Sequence, residues 1–141
     1  MTKEQYRRKF DIFRSTCLLY ATEKSQLEQL EKRYPSLKEI NIEEGKFRID
    51  LSREYEAGEL ERYQLLKENV EMTETYFKDI EEMFGEKAKD ILWELFIQDR
   101  SQTDVGEDYE MSRRQVQYAM DKWLQKLFEK ELQKTEQSDR Q

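Results

Sequence analysis

A single proline, Pro35, and four glycines are the only strong chain breakers in 141 residues. A chain interrupted so rarely, and rich in Glu, Lys, Gln, Leu and Arg, favours helix by intrinsic propensity almost everywhere. Charged residues make up 40% and hydrophobic residues 36%, too little apolar surface for one large core. That balance suits elongated helices with narrow buried seams. The expected fold class is mainly α.

From Tyr6 to Tyr34 the apolar residues Tyr6, Phe10, Phe13, Cys17, Tyr20 and Leu27 recur at steps of four and three, with one position skipped at Lys24. This is a coiled-coil-like seam, widened by Leu18, Leu19, Ala21 and Leu30 for packing against more than one neighbour. Pro35 ends the helix. Over Glu39 to Leu51 the period changes to two, with Ile40, Ile42, Phe47, Ile49 and Leu51 alternating with polar residues, so a short β-hairpin is expected there, with an ordered loop as the alternative. From about Ser52 a second helix carries Leu60, Tyr63, Leu66, Val70, Thr73, Phe77, Ile80 and Phe84. Gly58 near its start costs about 1 kcal/mol. The two helices predict a long N-terminal helical hairpin over residues 1–84, whose seams serve equally within one chain or between the chains of a homodimer. That region is read as an oligomerisation or partner-binding arm.

Gly85 is expected to cap the second helix. Behind it, Ala88, Ile91, Leu92, Leu95 and Phe96 mark a short amphipathic helix, and Ser101 is a good cap for the next, TDVGEDYE. After a tight turn at Glu110 and Met111, Ser112 caps a longer helix whose inward stripe is Val116, Ala119, Met120, Trp123, Leu124 and Leu127. These elements form the expected second domain, 85–134, and the polar tail 135–141 is expected to be disordered. Trp123 and Phe128 are read as core aromatics, and Cys17 as a small buried apolar residue.

Composition also removes functions. Without histidine and with one cysteine, zinc sites of the usual ligands and His-based catalysis cannot be assembled from one chain. There is no Gly-rich phosphate loop, and the carboxylates fall at surface helical positions. The chain is therefore expected not to be an enzyme and to need no cofactor. A lone cysteine, no apolar leader and no run of roughly 18 apolar residues point to a cytoplasmic protein that does not enter a membrane.

A short helix, a tight turn and a capped longer helix with arginines at its first exposed positions is a helix-turn-helix pattern, in which the second helix enters the major groove of double-stranded DNA. The candidate reading residues are Ser112, Arg113, Arg114, Gln115 and Gln117. Arg bonds bidentately to guanine and Gln to adenine, while the Ser hydroxyl and the helix N-terminal amides suit a phosphate. Tyr118 stands one step beyond Gln117, in reach of a base methyl or sugar. Lys122 and Lys126 are placed for flanking phosphates, as is Arg100 before the first helix.

The run SQTDVGEDYEMSRRQVQYAMDKWLQKL, Ser101 to Leu127, resembles region four of the bacterial sigma-seventy family of initiation factors, which typically reads TLEEVGKxFxVTRERIRQIExKALRKL. Without a gap, Val105 and Gly106 fall on the VG pair, Tyr109 on the aromatic position and Met111 on the apolar turn residue. Ser112 falls on the capping Thr, Arg113 on the first Arg and Val116 on the buried Ile or Val, while Lys122, Leu124, Lys126 and Leu127 fall on the ending. The family's Glu is Arg114 here, its later arginines are Gln115 and Gln117, and its Gln is Tyr118, so its minus-35 specificity does not carry over. The resemblance spans about the last third of the chain. A helical hairpin followed by such a module also resembles the small phage and mobile-element regulators of the ArpU- and RinA-like late-gene activator group.

The chain has a formal charge of −7, yet residues 111–130 hold five Lys or Arg against two Asp or Glu, behind the acidic Asp104, Glu107, Asp108 and Glu110. So narrow a positive face implies weak, salt-sensitive binding by one chain. Useful affinity needs a homodimer or a contact with RNA polymerase. The foremost expectation is a sequence-specific DNA-binding transcription regulator. The alternatives are a protein-interaction module that binds RNA polymerase or a sigma partner without reading DNA, and a small terminase-like recognition subunit for phage DNA packaging.

Overall fold

Pro35 does end the first helix: α1 runs from Lys3 to Arg33, and a short 3-10 turn, Pro35–Glu39, follows. The computed structural model describes residues 1–39 and 58–139, so the hairpin expected at 39–51 lies outside the described residues apart from Glu39. The remaining helices are α2, Glu59–Phe84; α3, Glu86–Phe96; α4, Gln102–Asp108; and α5, Arg113–Asp139. The described residues are thus mainly helical. None of these helices is long and apolar enough to cross a membrane.

Local chemistry accounts for the helix ends. Thr2 and Gln5 form a capping box at α1: the Gln5 amide donates to Thr2 Oγ1 (3.1 Å) and the Thr2 amide to Gln5 Oε1 (2.9 Å), satisfying two orphan donors reciprocally. Gly58, with a φ of +83°, directly precedes α2, which begins at Glu59; the expected helix start at Ser52 lies outside the described residues. Gly85 sits at φ 96°, ψ 174° between α2 and α3, a region of backbone space essentially confined to glycine.

By its contacts the chain divides into two compact units, Met1–Leu18 with Glu74–Gln141 and Leu19–Thr73. The boundaries fall inside α1 and α2, whereas the sequence placed one at 84/85. The physical reason is that Phe13, Cys17, Phe77 and Ile80 belong to the same buried cluster as Ile91, Phe96, Leu124 and Phe128. Helical periodicity reveals a seam but not which distant segment fills it. In the second unit, Leu27, Leu30 and Leu37 pack with Leu60, Tyr63, Leu66 and Val70. Leu18 and Leu19, expected to widen the seam, are exposed. The helical backbone continues to Asp139, beyond the expected start of a disordered tail at residue 135; Lys, Glu and Gln around it are all good helix formers.

Candidate functional site

All the residues singled out for DNA belong to the first unit, on α5 and the turns before it. The turn is closed by the backbone. Met111 N–H donates to the Gly106 carbonyl (2.8 Å) and Glu110 N–H to that of Glu107 (3.5 Å), while Glu110 has a φ of 57°. This is the Schellman pairing, with a glutamate in the left-handed position that usually holds glycine. A side chain at Gly106 would collide with the Met111 carbonyl oxygen, so glycine is required where α4 folds back against the turn.

Two residues later the chain re-enters helix through a second capping box. The Gln115 amide donates to Ser112 Oγ (3.1 Å) and the Ser112 amide to Gln115 Oε1 (2.8 Å). The signature S-x-x-Q at 112–115 makes this role readable from sequence alone, and it takes the Gln115 amide oxygen away from the solvent face. Behind the box, Val116, Met120, Leu124, Leu127 and Phe128 are buried, and Ala119 and Trp123 half-buried, so the inward stripe falls where the period places it.

The outward side chains separate into free and engaged groups. Arg113, Arg114, Lys122 and Lys126 are exposed, and no hydrogen bond or ion pair within the described residues uses them. Tyr118 is 71% exposed, the most open of the large hydrophobic side chains among the described residues. Gln117 is engaged: Gln102 Nε2 donates to its Oε1 (2.6 Å), and its own Nε2 donates to Asp121 Oδ2 (2.8 Å). Tyr6 of α1 completes the chain by donating its hydroxyl to Asp121 Oδ1 (2.8 Å), and burial followed by this bond raises the Tyr6 pKa above its ordinary value. Arg100 is engaged too, with Glu94 Oε1 at 2.7 Å and Asp108 Oδ2 at 2.6 Å. Its guanidinium ties the end of α3 to α4, joined by Tyr109, whose phenol is pushed up to about 12 by its bond to Glu94 and then by burial. Gln102, Asp121 and Tyr6 were not among the sequence candidates. No local signal marks them, because Tyr6 and Asp121 stand 115 positions apart.

Compared with protein-family models, curated proteins and solved structures, the chain matches none. What the site can do follows from its own chemistry. Arg113 and Arg114 at the open end of α5 offer two planar donor forks suited to guanine edges or phosphates, and Lys122 and Lys126 extend the positive stripe along the same helix. An open groove of about 850 Å³ has Tyr109, Met111, Tyr118 and Ala119 among its lining residues, together with the polar or charged Lys87, Glu110, Ser112, Arg114 and Gln115.

Proposed function

We propose that this protein is a sequence-specific DNA-binding transcription regulator, encoded by a phage or mobile element, which reads the major groove with α5 as the second helix of a helix-turn-helix. The observation that carries the reading is the pair Arg113 and Arg114, exposed and unpartnered among the described residues, at the start of a helix launched by a capped turn. The resemblance to sigma region four supports it, since the VG pair and the capping Ser recur where Gly106 and Ser112 now have a physical role. Gln115 and Gln117 are committed within the chain, so base reading centres on Arg113, Arg114 and Tyr118, with Ser112, Lys122 and Lys126 on phosphates. Residues 3–84 are assigned the role of an oligomerisation or partner-binding arm, which would supply a homodimer or a contact with RNA polymerase and so raise the affinity of a narrow positive face.

Selection from a randomised duplex pool at low salt tests the proposal. The wild-type chain is expected to enrich one motif, and Arg113→Ala with Arg114→Ala to lose it while helicity by circular dichroism stays unchanged. Enrichment by neither protein would sink the reading. One observation favours a second function, a protein-binding module: Tyr109, Met111, Tyr118 and Ala119 line one groove with Arg114, and such apolar side chains suit a partner's side chains more than a phosphate backbone. Activity that survives the double arginine change would select it.

A further inference from the structure

A second concavity lies away from the exposed face of α5, also within the first unit. It is a cleft of about 250 Å³, with Phe10, Phe96 and Met120 among its lining residues. Phe10 and Phe96 meet edge to face at 5.7 Å, and Leu18, which also lines the cleft, is exposed. An apolar cavity of about 150 Å³ already holds a benzene ring, so the space suits one medium-sized apolar side chain.

The polar lining selects the rest of the ligand. Arg100 is committed to Glu94 and Asp108, and Ser101 accepts the Asp104 amide as the cap of α4. Arg14 and Asp99 are different. Both line the cleft and both are exposed, yet no hydrogen bond or ion pair within the described residues uses either, and they do not pair with each other. Asp99 holds a left-handed backbone at φ 53° where the Arg100 amide donates to the Glu94 carbonyl (3.0 Å) to close the end of α3, a conformation that aspartate tolerates. Two opposite charges without a protein partner among the described residues, lining one cleft with apolar side chains, are complementary to a small molecule that carries both charges and an apolar group.

We propose that this cleft binds a free apolar amino acid, with the carboxylate on Arg14, the ammonium on Asp99 and the side chain against Phe10, Phe96 and Met120. The polar backbone of such a ligand matches the few convergent polar groups that fix orientation in small-molecule sites. The site also reaches α5. Gln102 in its wall donates to Gln117, and Met120 belongs to α5 itself. A ligand seated there binds the arrangement of α4 and α5 described above in preference to others, and so stabilises it. Binding itself does not rest on the DNA reading, so failure of either leaves the other standing.

The test is isothermal calorimetry and thermal unfolding of the full chain, followed by tryptophan fluorescence, with L-leucine, L-methionine and L-phenylalanine at millimolar concentration. At a large excess over Kd at least one should raise Tm by roughly 5 °C, whereas glycine and L-glutamate should not. Leucinamide, which lacks the carboxylate, and N-acetyl-leucine, which lacks the ammonium, should each bind at least tenfold more weakly than leucine. Arg14→Gln and Asp99→Asn should each weaken binding at least tenfold, with an unliganded Tm within about 2 °C of wild type. Asparagine is chosen because it tolerates the left-handed backbone. The proposal is overturned if none of the three amino acids binds, if the capped ligands bind as well as the free ones, or if binding survives both substitutions. The capped ligands decide the matter even if a variant fails to fold.

Discussion

The two units of this chain solve the same problem with different materials. The second unit buries mainly leucines, Leu27, Leu30, Leu37, Leu60 and Leu66, with Tyr63 and Val70. The first is organised around rings: Phe13 lies 5.1 Å from Phe96 and 5.4 Å from Tyr76, both edge to face, and 6.0 Å from Phe128, while Phe77 meets Trp93 at 5.0 Å. Edge-to-face pairs add stabilisation beyond their area and are directional. The lesson is one of tolerance. A leucine seam accepts sliding and exchange of similar side chains, whereas a ring cluster that joins elements distant in sequence specifies one arrangement, and the exposed arginines of α5 sit on the unit that is specified this way.

The largest expected effect breaks this comparison at its centre. Phe13→Ala should cost about 4 kcal/mol, because it removes a buried ring and leaves a cavity among the other rings. Both tryptophans, Trp93 and Trp123, belong to the first unit, so tryptophan fluorescence reports that unit while far-ultraviolet circular dichroism reports all helices. The urea midpoint by fluorescence should fall and separate from the dichroism transition. Leu66→Ala, a cost of about 2–3 kcal/mol, should shift the dichroism and leave the fluorescence midpoint in place. Transitions that stay coincident in both variants would mean that the units unfold as one body.

A smaller effect sharpens the comparison through protons. Burial pushes the Cys17 thiol up to about 12, and burial followed by the neighbouring Glu131 carboxylate pushes the Tyr76 phenol up to about 12. Both groups lie in the first unit, as does Tyr109. Their pKa values are raised on folding, so the folded chain keeps protons that the unfolded chain releases from roughly pH 8.5 for a thiol and 10 for a phenol. Stability is therefore full below pH 8.5 and is lost as pH rises towards the folded values. Between pH 8 and 10 the fluorescence-detected stability should drop by about 2 kcal/mol, close to 1.4 kcal/mol for each pH unit in which only the thiol differs. A midpoint that is flat across this range would refute the burial of Cys17.

These contrasts also explain how far the sequence could be read. The buried faces of α1, α2, α3 and α5 were legible because each is a run of apolar residues at steps of three and four, and Ser101 and Ser112 were legible as caps because their oxygens serve amides within three residues. Partners at long range were not. Nothing in the period of α1 says that Phe13 meets Phe96 and Phe128 while Leu27 meets the leucines of α2, so the division between units was misplaced at residue 84. The same blindness affected the candidate site: Arg113 and Arg114 are as open as their positions implied, but Gln117 is held by Gln102 and Asp121, and Arg100 by Glu94 and Asp108. Side-chain type shows what a residue can bind, and only the folded neighbours decide whether it is already bound.

The smallest expected effect concerns the turn that separates α4 from α5. Glu110 holds a left-handed backbone at φ 57°, a conformation that costs a residue with a Cβ about 1–2 kcal/mol and glycine essentially nothing. Its side chain is exposed and makes no hydrogen bond or ion pair among the described residues, so Glu110→Gly sacrifices no contact. Part of the relief is returned through the greater freedom of glycine in the unfolded chain. The net expectation is a gain of about 0.5 kcal/mol, read as a rise in the fluorescence midpoint. The change also removes a negative charge close in sequence to Arg113 and Arg114, so if α5 reads DNA the variant should bind slightly more tightly at low salt and lose that advantage as salt screens it. A loss of stability would instead assign the glutamate side chain a part in closing the turn, and would leave the backbone pairing from Met111 to Gly106 insufficient to hold α5 in register.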